Sequence, residues 1–110
     1  MPGLTEKRCI PCQGGMPPLQ TEQITPLLNQ LRGWEVIDQH HLHKNYSFPD
    51  FITALAFVNT VGDIAEDEHH HPNIYLTWGK VGIQIYTHSI NGLTESDFIL
   101  AAKIDELPRP

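Results

Sequence analysis

From Thr21 onward the apolar positions fall into a regular alternation of helical and extended spacings. Ile24, Leu27, Leu28 and Leu31 recur at i, i+3, i+4 and i+7, the stripe of a short amphipathic helix that ends at Gly33. Either Thr21 caps it and Pro26 strains its second turn, or Thr25 caps it and sets Pro26 at the first helical position, where proline is tolerated. Trp34 to Asp38 and Leu42 to Phe48 read as strands joined by a hairpin near Gln39-His40. The second strand alternates Leu42, Lys44, Tyr46 and Phe48 against His41, His43, Asn45 and Ser47. Asp50 is an N-cap for a helix whose Phe51, Leu55, Val58, Ile64 and Ala65 keep near-helical spacing, with Gly62 as its weak point. This is expected to be the main core helix, and it must stop near Pro72. Ile74, Leu76 and Trp78 then alternate with Tyr75 and Thr77, Gly79-Lys80 makes a turn, and Val81, Ile83 and Ile85 alternate with Gly82, Gln84, Tyr86 and His88. Thr94 with Asp97 three residues later forms a capping box with Asp in place of the usual Glu or Gln, ahead of a closing helix over Phe98 to Leu107.

The order is αββαββα, and its economical layered form is an α+β fold, a four-stranded antiparallel sheet with helices packed on one face. A chain of 110 residues buries one modest core. Residues 1–20 therefore read as an irregular lead-in and residues 21–110 as a single domain. The sheet has two edges, and pairing an edge with a second copy would cover exposed backbone and enlarge the core, so a homodimer or homotetramer is expected.

Composition narrows the function by exclusion. A formal charge of −6 with scattered basic residues leaves no footprint for direct nucleic-acid binding or for an anionic membrane. Apolar runs such as Phe51 to Val58 are too short and too interrupted to span a bilayer, and Met1 to Arg8 has no secretory h-region, so the expected location is the cytoplasm. The two cysteines, Cys9 and Cys12, fall in a Pro/Gly segment without a second pair to complete a zinc site, and read as reduced thiols.

Candidate chemistry lies with the seven histidines, which divide into two groups. His40, His41 and His43 lie at the first hairpin, where His41 and His43 share the polar face of a strand and read as a solvated surface. His69, His70 and His71, with His88 further on, sit at a helix-to-strand junction where a chain reversal turns several side chains toward one concavity, with Glu66 one helical turn before His70. Imidazoles beside carboxylates admit general acid–base catalysis or metal ligation, and no HExxH motif decides between them.

The string Glu66, His70-His71-Pro72, Trp78, Thr87-His88 and Asp97, together with Lys80-Val81-Gly82-Ile83 and Gly92-Leu93-Thr94, resembles the signature of pterin-4a-carbinolamine dehydratases over roughly residues 21 to 107. The lead-in around Cys9 resembles the longer microbial members. His69 makes a triple histidine where the family pattern has a pair, and Asn73 stands where an acidic residue is frequent. The resemblance implies the αββαββα fold and dehydration of 4a-hydroxytetrahydropterin to quinonoid dihydropterin, as in tetrahydrobiopterin recycling, with a small pterin as substrate and neither metal nor other cofactor. It assigns His70 and His88 as the acid–base pair, Glu66 and Asp97 as groups that orient or charge the imidazoles, and His71, Pro72 and Thr87, with the same two histidines, as the substrate-binding set. The competing classes are a dimerisation cofactor or transcriptional coactivator on the same fold, and a His-cluster metal-binding module.

Overall fold

Capping residues fix where the two longer helices begin. In the computed structural model, which describes residues 3–9 and 17–107, the Asp50 carboxylate accepts from the Thr53 N–H at 2.9 Å and starts α2, Phe51–Glu68. Thr94 and Asp97 close a reciprocal capping box at the start of α3, Glu95–Asp105, the arrangement that their spacing predicts. The first helix, α1, spans Thr21–Leu28 and departs from expectation at both ends. Its N-cap is Gln20, paired in a capping box with Gln23, so neither threonine caps it, and Pro26 lies inside the helix. A proline there removes one backbone donor, and the helix ends two residues later, well short of Gly33.

The sheet is antiparallel throughout, in the order β1-β2-β4-β3, with β1 at Glu35–Ile37, β2 at His41–Ser47, β3 at Asn73–Thr77 and β4 at Lys80–Ile85. The element order is αββαββα, preceded by one 3₁₀ turn at Leu4–Glu6. The β1–β2 turn uses positive φ at Asp38 and Gln39. The second hairpin turns at Trp78-Gly79, one residue earlier than expected, because Thr77 pairs with Lys80 and Gly79 takes φ +73°. A Cβ at Gly79 would also meet the Phe48 carbonyl oxygen at 3.1 Å. Trp78 consequently leaves the strand and stands 71% exposed, away from the core face shared by Ile74 and Leu76.

Alternation places Leu42, Val81, Ile83 and Ile85 under the helices, where each is almost fully buried. The central helix of the core is α3, with Phe98, Ile99, Leu100, Ala101, Ala102 and Ile104 all buried, and not α2. On α2 the buried stripe is Ala54, Val61, Ala65 and Glu68, whereas Phe51, Ile52 and Leu55 face outward. The near-helical spacing of Phe51 and Leu55 thus marks an apolar stripe that the monomer leaves uncovered. Among the described residues no helix is long and apolar enough to cross a membrane.

Two polar clusters tie the periphery to this core. Asp105 accepts from Lys44 Nζ at 3.1 Å, Trp34 Nε1 at 2.9 Å and the Arg32 backbone N–H at 2.9 Å, which satisfies a lysine buried on the helix side of the sheet. Glu68 accepts from Lys103 Nζ at 2.5 Å and from the Cys9 N–H at 2.9 Å, so the first described segment is fastened to the end of α2 while Leu4 is buried in the core. Burial by itself would raise the Glu68 carboxyl, but the Lys103 and Cys9 hydrogen bonds, with the charges of Lys103 and Arg8, hold it below its ordinary value. Burial, and next the negative Glu68, push the Cys9 thiol up to about 12. Cys12 lies outside the described residues.

Candidate active site

The end of α2 and the start of α3 build the site from opposite sides. Helix α2 terminates at His69 in the left-handed conformation, φ 54° and ψ 36°, and the N–H groups of His69 and His70 bond back to the carbonyls of Glu66 and Ala65. This reversal brings His70 to the N-terminus of α3. There its Nε2 lies 2.6 Å from Asp97 Oδ1. The other carboxyl oxygen, Oδ2, accepts from the Thr94 N–H at 2.8 Å and from Thr87 Oγ1 at 2.9 Å. Asp97 is fully buried and serves two purposes with two oxygens: one caps a helix and holds the strand-end threonine, the other orients an imidazole. With Asp97 ionised, His70 donates through Nε2–H and presents Nδ1 as its remaining ring nitrogen.

His88 reaches the same place from the other side. After β4 ends at Ile85, Thr87 bridges to Gly92, and the Asn91 N–H bonds the Thr87 carbonyl at 2.9 Å, so residues 87–92 form a tight loop. The cavity between the loop and the end of α2 has a volume of about 280 Å³ and is lined by His69, His70, His71, Tyr86, Thr87, His88 and Ser89. Of the expected residues, His70, His71, Thr87 and His88 face one cavity, and Asp97 stands directly behind His70. Glu66 instead pairs with the ring of His71, and both side chains are largely exposed, so Glu66 orients His71 and does not touch His70. Pro72 is not part of the lining.

A hollow of about 350 Å³ on the open face of the sheet is larger, and is lined by residues that include His43, Asn45, Tyr75 and Lys80. No buried carboxylate stands behind an imidazole there, so the smaller cavity is the candidate for acid–base chemistry. Among the described residues no group of three or more His, Cys, Asp or Glu side chains converges as metal ligands.

Two site neighbours escape the sequence reading. Tyr86 stacks on His88, with ring centroids 4.3 Å apart and planes at 17°. His40, from the β1–β2 turn, lies on Tyr86 with centroids at 4.5 Å. The signal for Tyr86 was present, since it alternates in phase with His88. His40 carried no such signal, because only the antiparallel pairing of β2 with β4 brings the two hairpins together. His41 is half-buried beside His40, and burial, with the charges of His40 and His43, lowers its pKa. The first histidine group is thus not wholly a solvated surface.

Comparison with known proteins agrees with this architecture. Residues 17–107 match the family described as "Pterin 4 alpha carbinolamine dehydratase". The chain is 53% identical over 107 residues to a Rubrobacter xylanophilus protein named "Putative pterin-4-alpha-carbinolamine dehydratase", covering 97% of this chain and 100% of that one. A protein of the same name from Alkaliphilus metalliredigens is 49% identical over 107 residues, with 96% of each chain covered. Among solved structures, a transcriptional coactivator/pterin dehydratase from Brucella melitensis superposes with a TM-score of 0.74 at 32% identity, over 79% of this chain and 94% of that chain.

Proposed function

The chain belongs to the pterin-4a-carbinolamine dehydratase family, and from that premise we propose that it is a hydro-lyase that converts 4a-hydroxytetrahydropterin to quinonoid dihydropterin and water. The observation that carries the reading is the His70–Asp97 pair opening onto a cavity shared with His88 and Thr87. One imidazole protonates the C4a hydroxyl, which leaves as water. The other accepts the N5 proton, and the N5 lone pair forms the N5=C4a double bond. One proton enters at oxygen and one leaves at nitrogen, so two ring nitrogens on separate elements meet the whole requirement.

His70 and His88 are the acid–base pair on this reading. Asp97 offsets the charge whenever His70 carries its second proton, and it holds the ring so that Nδ1 is the nitrogen offered to the substrate. Glu66 steadies His71 at the mouth, and Thr87, anchored to Asp97, shapes the floor; Pro72 sets the path of the chain into β3. The reaction serves regeneration of a tetrahydropterin cofactor in the cytoplasm, and the chain works as a homo-oligomer, for which the exposed Phe51, Ile52 and Leu55 supply an apolar stripe.

The test is the rate at which chemically generated 4a-hydroxytetrahydropterin loses water, followed by absorbance with and without the purified, chelator-treated protein. Acceleration is expected. A folded sample that leaves the uncatalysed rate unchanged overturns the proposal.

A further inference from the structure

The two histidines of the site are held by different means. His70 is fixed by a hydrogen bond to a buried carboxylate, whereas the exposed His88 ring makes no hydrogen bond among the described residues and has a ring stack instead. An imidazole on an exposed loop samples several rotamers, and a proton transfer is fast only from the one that faces the reacting atom.

We propose that Tyr86, backed by His40, is the positioning residue that holds the His88 imidazole in its working orientation. This rests on the dehydratase reading above. The Tyr86 ring lies between two imidazoles, near-parallel to His88 at 4.3 Å and tilted 41° against His40 at 4.5 Å. His40 is itself pinned. Its Nε2 lies 2.8 Å from Asn91 Oδ1, and its Nδ1 lies 3.0 Å from His41 Nδ1. Asn91 belongs to the same tight loop as His88, holds φ 56°, and returns its N–H to the Thr87 carbonyl. The turn between β1 and β2 therefore clamps the 87–92 loop at Asn91, and Tyr86 passes that support to His88. The stack is between rings, so the phenol hydroxyl contributes nothing to it.

An aromatic pair of this kind biases an orientation by roughly 2- to 12-fold. Tyr86→Leu, which keeps bulk and loses the ring, should lower kcat by about three- to tenfold with KM within twofold, and Tyr86→Phe should restore it. The structural readout is proton NMR of the carbon-bound His88 ring protons, assigned by their loss in His88→Ala. They should be displaced upfield by the Tyr86 ring current in the native protein and in Tyr86→Phe, and should return to ordinary positions in Tyr86→Leu. Tyr86→Gln supplies a second non-aromatic variant if leucine disturbs folding. An active native protein whose non-aromatic variants keep full kcat, or whose His88 protons show no upfield displacement, overturns this proposal alone. A native protein without dehydratase activity overturns the reading beneath it as well, while the NMR result still reports whether the stack forms.

Discussion

Asp97→Asn separates the two duties of one carboxylate. The substitution preserves size at a fully buried position where the side chain accepts three hydrogen bonds, from His70 Nε2 at 2.6 Å, Thr94 N–H at 2.8 Å and Thr87 Oγ1 at 2.9 Å. The amide oxygen can still serve Thr87 and Thr94, so the helix cap survives in neutral form. Hydrogen bonds to a charged partner contribute about 1.5–3 kcal/mol and neutral ones about 0.5–1.5 kcal/mol, and burying an amide costs less than burying a carboxylate. The net loss should be about 1–3 kcal/mol, which lowers Tm by roughly 5–15 °C in a domain of this size. The larger effect falls on chemistry. The amide NH₂ now faces His70 Nε2, which must become an acceptor, and the ring shifts its proton to Nδ1, the nitrogen offered to substrate. A His locked in the wrong tautomer forfeits its acid–base contribution, about 10²- to 10⁴-fold. The assay is absorbance-followed dehydration alongside a thermal melt. Thr94→Ala is the control, since it loses about 1 kcal/mol of cap but leaves the His70–Asp97 bond in place. An Asp97→Asn protein that melts lower yet turns over within twofold of the native protein would refute the role of Asp97 in orienting His70.

Other expectations follow from the same geometry. His70→Ala should reduce turnover by roughly tenfold to a thousandfold and, because it leaves one oxygen of the buried Asp97 carboxylate without its partner, cost about 1–3 kcal/mol of stability without unfolding the protein; native-like turnover would remove it from the pair. Asp105→Ala strands Lys44 and Trp34 without their acceptor and should cost about 3–5 kcal/mol in chemical denaturation while activity per folded molecule is kept. The Glu68 carboxyl is depressed, so its contribution is complete above its ordinary value of 4.5 and disappears as pH falls through its lowered value; acid titration watched by proteolysis of residues 3–9 should show that segment released first. The Cys9 thiol is raised to about 12, so its contribution is complete below 9.0 and is lost as pH rises toward 12, and Cys9 should resist alkylation at pH 8 until the protein is unfolded. Ile52→Glu should lower the apparent mass in light scattering if the exposed stripe on α2 joins copies of the chain.

Local chemistry was the legible part of the fold. Asp50 and the Thr94–Asp97 pair announce helix starts through bonds made within three residues, and strict alternation sorts β2 and β4 by face. The failures share one cause. Periodicity reports that an apolar stripe exists and is silent on what covers it, so Phe51 and Leu55 read as core, although Ala54 and Val61 are what fit against the sheet side. Small residues lie where a helix approaches closely, and a pattern scored on large apolar side chains misses them. Trp78 failed by register alone, since a turn one residue earlier moves a side chain from an alternating face to a hairpin tip.

The site divides in the same way. His69 to His71 are contiguous, and the capping role of Asp97 was readable; that the carboxylate also reaches His70 was not, because it depends on how the end of α2 meets the start of α3. That double use has a consequence for how the enzyme holds together. The group that orients the proposed acid–base histidine is the one that caps the helix at the centre of the core, so a change at Asp97 that disturbs His70 also weakens the start of α3. His88 is under no such obligation. It stands on an exposed loop and is steadied by rings from two hairpins, so its orientation can be altered through Tyr86 or His40 at little cost to stability. Turnover and stability should therefore fall together at Asp97 and separately at Tyr86, and a variant series that moved both properties in proportion at both positions would contradict this division.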